Sequence, residues 1–146
     1  MTDSHANLMT SADDIARIVK ATRRIAVLGI KTAAQRDAAA FYVPEYMQRM
    51  GYDIVPVPVY YPDASEILGQ RVYRTVSEIP GAIDMVNVFR RPKDIPPHLP
   101  DILKARPQFV WFQLGIVNDE AAATLARAGI QVVQDRCLLV EHRRLR

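Results

Sequence analysis

The chain has a single cysteine among 146 residues, so no internal disulfide can hold it together and its stability must come from burial. A lone thiol also suits a reducing compartment. No apolar run comes near the ~20 residues that a membrane helix requires, which excludes a spanning helix. The first residues lack a basic patch followed by an apolar stretch, so no secretory signal is expected and a cytoplasmic setting fits. His5, His98 and His142 do not stand at metal-ligand spacing from one another or from Cys137. There is no Gly-x-x-x-x-Gly-Lys-Ser/Thr phosphate loop. The formal charge of +3 is modest. Its basic residues are scattered, apart from Arg90-Arg91 and the tail His142-Arg-Arg-Leu-Arg146, so no nucleic-acid partner is expected.

What is present reads as one domain. An apolar fraction of 49% with 24% charged residues is that of an ordinary globular chain. Residues 1–10 are polar and predict a flexible tail ahead of a single domain over 11–146. Ser11-Ala-Asp-Asp14 has the form of a capping box, and Ile15, Ile18, Val19 and Thr22 follow at helical spacing. Runs suited to strands fall at 24–29, 53–59, 72–73, 83–89, 109–113 and 131–134. The near-continuous apolar character of 83–89 implies cover on both faces. Pro56 and Pro58 remove ladder donors from the second run and predict a short or fraying strand.

Helical patterns separate these runs. One covers Ala40 to Met50 with Gly51 as its cap, and Pro44 is tolerable there if the first turn begins near Phe41 to Val43. Thr75-Val-Ser-Glu78 predicts a short helix. Asp94 is expected to cap another, which Pro96 and Pro97 open and which runs to Ala105. Asn118 caps a fourth, with Ala122, Leu125 and Ala126 inward and Gly129 at its end. Leu138 to Arg146 reads as a tail. Strands and helices alternating about every 20–30 residues predict an α/β fold. The expected form is a three-layer, Rossmann-like, doubly wound and mostly parallel sheet of about five or six strands, with helices on both faces.

Ligands of such sheets bind outside the carboxyl ends of the strands, where strand order reverses. That rule selects Gly29 to Arg36, Tyr60-Tyr61, Phe89-Arg90-Arg91, Gln113-Leu114-Gly115 and Asp135-Arg136-Cys137. Arg24-Ile-Ala-Val-Leu-Gly29 is an apolar run closing on glycine before a helical pattern, the opening in which phosphate meets backbone N–H groups. Yet Lys31 and Ala34 replace the second and third glycines of the dinucleotide fingerprint, and no acid ends Val57-Pro-Val-Tyr-Tyr61 to hold a ribose. The scaffold suits a nucleotide, and NAD fits it poorly. Lys31, Thr32, Arg36, Arg90 and Arg91 supply charge and donors, while Tyr60, Tyr61 and Phe89 supply flat apolar surface for a base. Arg136 beside Cys137 favours a thiolate, although a free cysteine is more often a small buried hydrophobe. Glu141-His142 reads as a solvated end rather than an acid–base pair.

Several segments resemble the family of small single-domain CoA-binding proteins, related to the N-terminal domain of the succinyl-CoA synthetase α subunit. They are Ile25-Ala-Val-Leu-Gly29, Gly51-Tyr-Asp-Ile-Val-Pro-Val57, Glu66-Ile-Leu-Gly69, Asp84-Met-Val-Asn-Val-Phe-Arg-Arg91, Val110 to Ala121, Val132-Val-Gln-Asp-Arg-Cys137 and Val140-Glu-His142. The likeness spans roughly 12–146, and the run from Trp111 through Asn118 with the later Asp-Arg-Cys is its specific part.

The resemblance implies a domain that binds coenzyme A or an acyl-CoA. Gly29, Ile30, Lys31, Thr32 and Arg36 would meet the phosphates, and Tyr60 would border the adenine. Phe89, Arg90, Arg91, Gln113, Leu114 and Gly115 would line the rest, with Cys137 as a thiol near the pantetheine end. Relatives commonly place a small hydroxyl residue where this chain has Ala40. Neither the catalytic histidine nor the grasp domain of the synthetases is present, so a binder is expected rather than an enzyme. Two other readings stay open: an NADP-linked oxidoreductase or other nucleotide enzyme, and an interaction protein with a vestigial crevice and a basic tail that docks a partner. A homo-oligomer also stays open.

Overall fold

Strands that are apolar on both sides need cover on both sides, and the order of elements supplies it. The computed structural model describes residues 4–146. In chain order these form α1 (Ala12–Ala21), β1 (Arg24–Leu28), α2 (Ala39–Arg49), β2 (Asp53–Val57), β3 (Glu66–Ile67), β4 (Gln70–Arg71), β5 (Met85–Val88), α3 (Leu99–Ala105), β6 (Phe109–Phe112), α4 (Asp119–Arg127), β7 (Gln131–Val133) and α5 (Leu138–Arg143). The main sheet is parallel throughout, in the order β2-β1-β5-β6-β7. Alternate strand residues enter opposite layers. Ile25, Val27, Ile54, Met85 and Trp111 pack against α1, α2 and α5. Ala26, Leu28, Val55, Val86 and Phe112 pack against α3 and α4. The doubly wound α/β expectation is met, and strand order reverses between β1 and β5.

Local chemistry departs from the sequence reading in several places. The 72–73 run is not a strand of the sheet. Leu68 and Gly69 adopt φ of 56° and 73°, the two-residue turn that closes β3 on β4, and Tyr73 gives only one N–H, to Pro56 O at 3.0 Å. Thr75–Glu78 opens no helix. Thr75 Oγ1 donates to Glu78, while the N–H groups of Val76 and Ser77 go to the Asp101 carboxylate at 2.8 and 2.9 Å. Asp94 caps nothing, because prolines at 92, 96 and 97 force two 3-10 turns ahead of α3 and its carboxylate accepts from Arg91 instead. The C-terminal stretch is helical over α5 rather than a plain tail.

The N-terminal stretch also differs from the flexible tail expected. Met1 to Asp3 lie outside the described residues. Ser4–Asn7 is a 3-10 turn, Leu8 bridges Val132 in parallel, and Met9 is buried with its N–H on Val132 O at 2.8 Å. Two expected caps hold as read: Ser11 accepts from Asp14 N–H, and Asn118 from Ala121 N–H.

Pro44 falls in the second turn of α2, not the first, since the helix starts at Ala39. It cannot donate to Ala40 O, and the freed carbonyl accepts the Lys31 N–H at 3.1 Å. A helix defect therefore anchors the loop after β1.

Gly29 ends β1 at φ 89°, and a Cβ there would stand 2.7 Å from Phe89 O. Both the left-handed backbone and the contact exclude a side chain. Gly29→Ala is expected to lower stability by about 2–3 kcal/mol. Urea unfolding checks this, and a wild-type midpoint would show that β1 and β5 can part at no cost.

Candidate functional site

The site is built where β1 and β5 diverge. Gly29 N–H donates to Val57 O and Phe89 N–H to Leu28 O, both at 2.9 Å, so the ends of three strands are tied edge to edge. The side chain of Arg90 continues from this pinch, with Cδ 3.5 Å from where a Gly29 Cβ would be. Its guanidinium carbon lies 5.8 Å from the centre of the Tyr60 ring, within cation–π range. Its Nε donates to His98 Nε2 at 3.2 Å. A guanidinium can only donate, so Nε2 carries a lone pair and His98 is neutral in this contact. Burial and then Arg90 push the His98 pKa below its ordinary value of 6.5, against the opposite pull of Asp101 and Asp94.

Tyr60 is 61% exposed, which a large aromatic tolerates at a binding edge more readily than on a plain surface. Its loop is held from below by Arg74, whose Nη1 donates to Tyr60 O (3.3 Å) and whose Nη2 reaches Tyr61, Pro62 and Ala64 carbonyls (3.0, 3.1 and 2.9 Å). Tyr61 sits at φ 64°, unusual for a bulky residue, and these bonds offset the strain.

The loop after β1 is partly self-satisfied. Thr32 N–H and Oγ1 both donate to Gln35 Oε1, at 3.1 and 2.7 Å, and Gln35 N–H returns to Thr32 O. That capping box occupies the Thr32 hydroxyl hydrogen, so Thr32 is not the free donor expected. Ile30 is 1% exposed, and its side chain belongs to the core. The Lys31 and Arg36 side chains, by contrast, make no ion pair or hydrogen bond with the described residues. α2 follows with Ala38 at its cap and no capping side chain, which leaves the Ala39 and Ala40 N–H groups without intrahelical partners. Ala40 is its second residue and buried.

Beyond β6 the expected lining turns inward. Gln113 is buried, and its Oε1 accepts from Leu138 N–H at 3.3 Å and from Asn87 Nδ2 at 3.5 Å. Asn87 Oδ1 is a buried acceptor with no partner among the described residues. Leu114 is 66% exposed, and Gly115 N–H donates to Asp135 Oδ1 at 2.7 Å. Cys137 is half-buried at the cap of α5 and packs on the helical layer. The neighbouring Arg136 directs its guanidinium to Thr10 O and Glu141. Arg91 pairs with Asp94 at 2.9 Å and faces solvent.

The structure thus gathers Gly29, Tyr60, Phe89 and Arg90 at one point and leaves Lys31 and Arg36 as unopposed cations on the adjoining loop. It withdraws Gln113, Arg91 and the Ile30 side chain. Three residues that position the site went unselected in the sequence: His98, Arg74 and Asn87. The proline-rich setting of His98 hid it, and nothing local marks Arg74, whose partners lie 10–14 residues earlier.

A concavity of ≈ 390 Å³ adjoins the loop, lined by Thr32, Ala33, Ala34, Phe41, Glu66, Ile67 and Leu68. A larger one of ≈ 530 Å³ lies at the opposite edge, where β6 and β7 begin, around Leu103, Arg106 and Ile130. Strand direction, not size, favours the former. A pyrophosphate-bearing cofactor fits the residues present: cations that form no ion pair with the described residues, an uncapped eleven-residue helix and a backbone too close for any side chain at Gly29. Among the described residues no cluster of His, Cys, Asp or Glu is arranged to hold a metal, and no helix is long and apolar enough to cross a membrane.

Comparison with known proteins agrees with this architecture. The uncharacterized Bacillus subtilis protein YneT is 36% identical over 132 residues, 90% of this chain and 94% of YneT. A solved structure from Thermus thermophilus matches with a TM-score of 0.85 at 35% identity, covering 94% of this chain and 100% of that one. A dinucleotide-forming acetyl-coenzyme A synthetase from Ca. Korarchaeum cryptofilum shares the fold at 19% identity and a TM-score of 0.63, over 80% of this chain and 27% of the synthetase. The sequence model of the CoA binding domain matches residues 23–143, from just before β1 to the last residue of α5. The chain belongs to the CoA-binding domain family.

Proposed function

We propose that the chain binds coenzyme A or an acyl-CoA across the carboxyl ends of its strands and does so as a binder rather than as a synthetase. The observation that carries this reading is the pairing of unopposed Lys31 and Arg36 with the uncapped start of α2, beside the side-chain-free approach at Gly29. In this arrangement Lys31, Arg36 and the first N–H groups of α2 hold the phosphates. Tyr60, backed by Arg90, covers the adenine, and Phe89 and Leu114 border the pantetheine arm. Family membership supports the ligand class, and the missing ribose acid at the end of β2 disfavours NAD.

Cys137 is proposed as a thiol that meets the far end of the pantetheine. With CoA disulfide as oxidant, the Cys137 thiolate attacks one sulfur, forms a protein–CoA mixed disulfide and releases one CoA thiol. Mass spectrometry after that treatment shows either the CoA adduct on Cys137 or an unmodified residue, which removes the thiol from the site.

Native mass spectrometry of protein purified without added ligand is expected to retain a mass equal to CoA or an acyl-CoA. In calorimetric titration, Lys31→Ala and Arg36→Ala should each weaken CoA by about 1.5–3 kcal/mol, the range for charge-assisted contacts. Unchanged affinity in both variants discards the loop assignment.

Arg74→Ala frees the loop under Tyr60. It should weaken CoA about tenfold, roughly 1.4 kcal/mol, while leaving 4′-phosphopantetheine, which has no adenine, unaffected. Equal losses for both ligands would mean that Arg74 supports the whole fold and not the base.

A further inference from the structure

Arg90 is held in a way that leaves its charge unspent. An arginine beside a ligand crevice gains from being anchored, because a free side chain of this length loses rotamer entropy when a ligand fixes it. The usual anchor is a carboxylate, and two stand nearby. Asp94 is taken by Arg91 at 2.9 Å, and Asp101 is taken by the N–H groups of Val76 and Ser77. The anchor is His98 Nε2 instead, 3.2 Å from Arg90 Nε. An acid in that place would fix the guanidinium and cancel its charge. An uncharged imidazole fixes it without forming an ion pair and leaves the guanidinium at the rim between Gly29 and Tyr60.

We propose that His98 is a positioning residue that, as a neutral acceptor, locks Arg90 beside Tyr60 so that its charge serves an anionic group of the bound ligand. This rests on the reading of the crevice as a CoA site. The groups facing the imidazole are Arg90 from the segment after β5, Asp94 from the first 3-10 turn and Asp101 from α3. Burial and Arg90 outweigh the two acids and keep the imidazole pKa below 6.5, so the acceptor state prevails at pH 7. Nothing in this arrangement asks His98 to touch the ligand. It acts through Arg90.

The test is a double-mutant cycle read as CoA dissociation constants, with thermal melts to confirm folding. Arg90→Ala is expected to weaken CoA about tenfold or more, and His98→Ala about threefold to tenfold. The double variant should bind no worse than Arg90→Ala alone. His98→Gln, which keeps an acceptor near the Nε2 position without titrating, should restore most of the affinity. As pH falls below 6.5, wild-type protein should lose affinity relative to His98→Gln, because a protonated Nε2 no longer accepts. His142 and the phosphates of CoA are common to both proteins and cancel in that ratio.

Losses that multiply in the double variant, or identical pH profiles, overturn the proposal by showing that His98 acts independently of Arg90. An Arg90→Ala variant with wild-type affinity overturns it too, while leaving CoA binding itself intact. Wild-type protein that fails to bind CoA at all removes the functional reading along with it.

Discussion

The narrow approach of β1 to β5 governs the carboxyl edge of this molecule. At Gly29 the backbone of one strand lies so close to the carbonyl of Phe89 that no Cβ fits, and Gly29 N–H simultaneously holds Val57 at the end of β2. The ends of β2 and β5 are each fixed one hydrogen bond from the end of β1 between them. Everything with chemical interest is then a short distance along the chain from that knot: the cationic loop, the Tyr60 platform and the Arg90 side chain. A single conformational requirement at one residue places three loops that share no sequence neighbourhood.

Charge is distributed by the same logic. Away from the crevice, arginines meet acids: Arg17 with Asp14, Arg24 with Asp53, Arg49 with Glu45, Arg144 with Glu141. Such exposed pairs contribute little to stability, but they do neutralise. Around the crevice Arg91 pairs with Asp94, but four other cations are treated differently. Arg74 is held by carbonyl oxygens, Arg90 by an imidazole, and Lys31 and Arg36 by nothing among the described residues. A net charge of +3 is small, and Lys31, Arg36 and Arg90 are cations without a carboxylate partner on the side where an anion would arrive.

Layering and strand order follow from features that a sequence displays openly. Unbroken apolar runs such as Phe109–Phe112 demand two-sided cover, and the spacing between runs leaves room for the helices that provide it. The caps at Ser11 and Asn118 were legible because the capping oxygen and its target N–H lie three residues apart. Thr75 and Asp94 carry equally good signatures and cap no helix, because Asp101 and Arg91 compete for the groups concerned and local pattern cannot reveal a competitor. The site divides the same way. Gly29, Tyr60 and Arg90 are marked by their place at strand ends. Gln113 shares that place but turns inward toward Asn87 and Leu138, a choice decided by a partner 25 or 26 residues distant. His98 and Arg74 are informative only through what they touch across the fold.

The docked N-terminal stretch has a bearing on assembly. An open parallel sheet leaves two outer strands whose free main-chain groups invite strand addition by another chain. On the β2 side, Pro56 and Pro58 lack the N–H that an incoming strand would need. On the β7 side, Leu8 and Met9 already occupy Val132. Both margins are blunted from within the chain, so neither offers the open ladder that strand addition by a second chain would need.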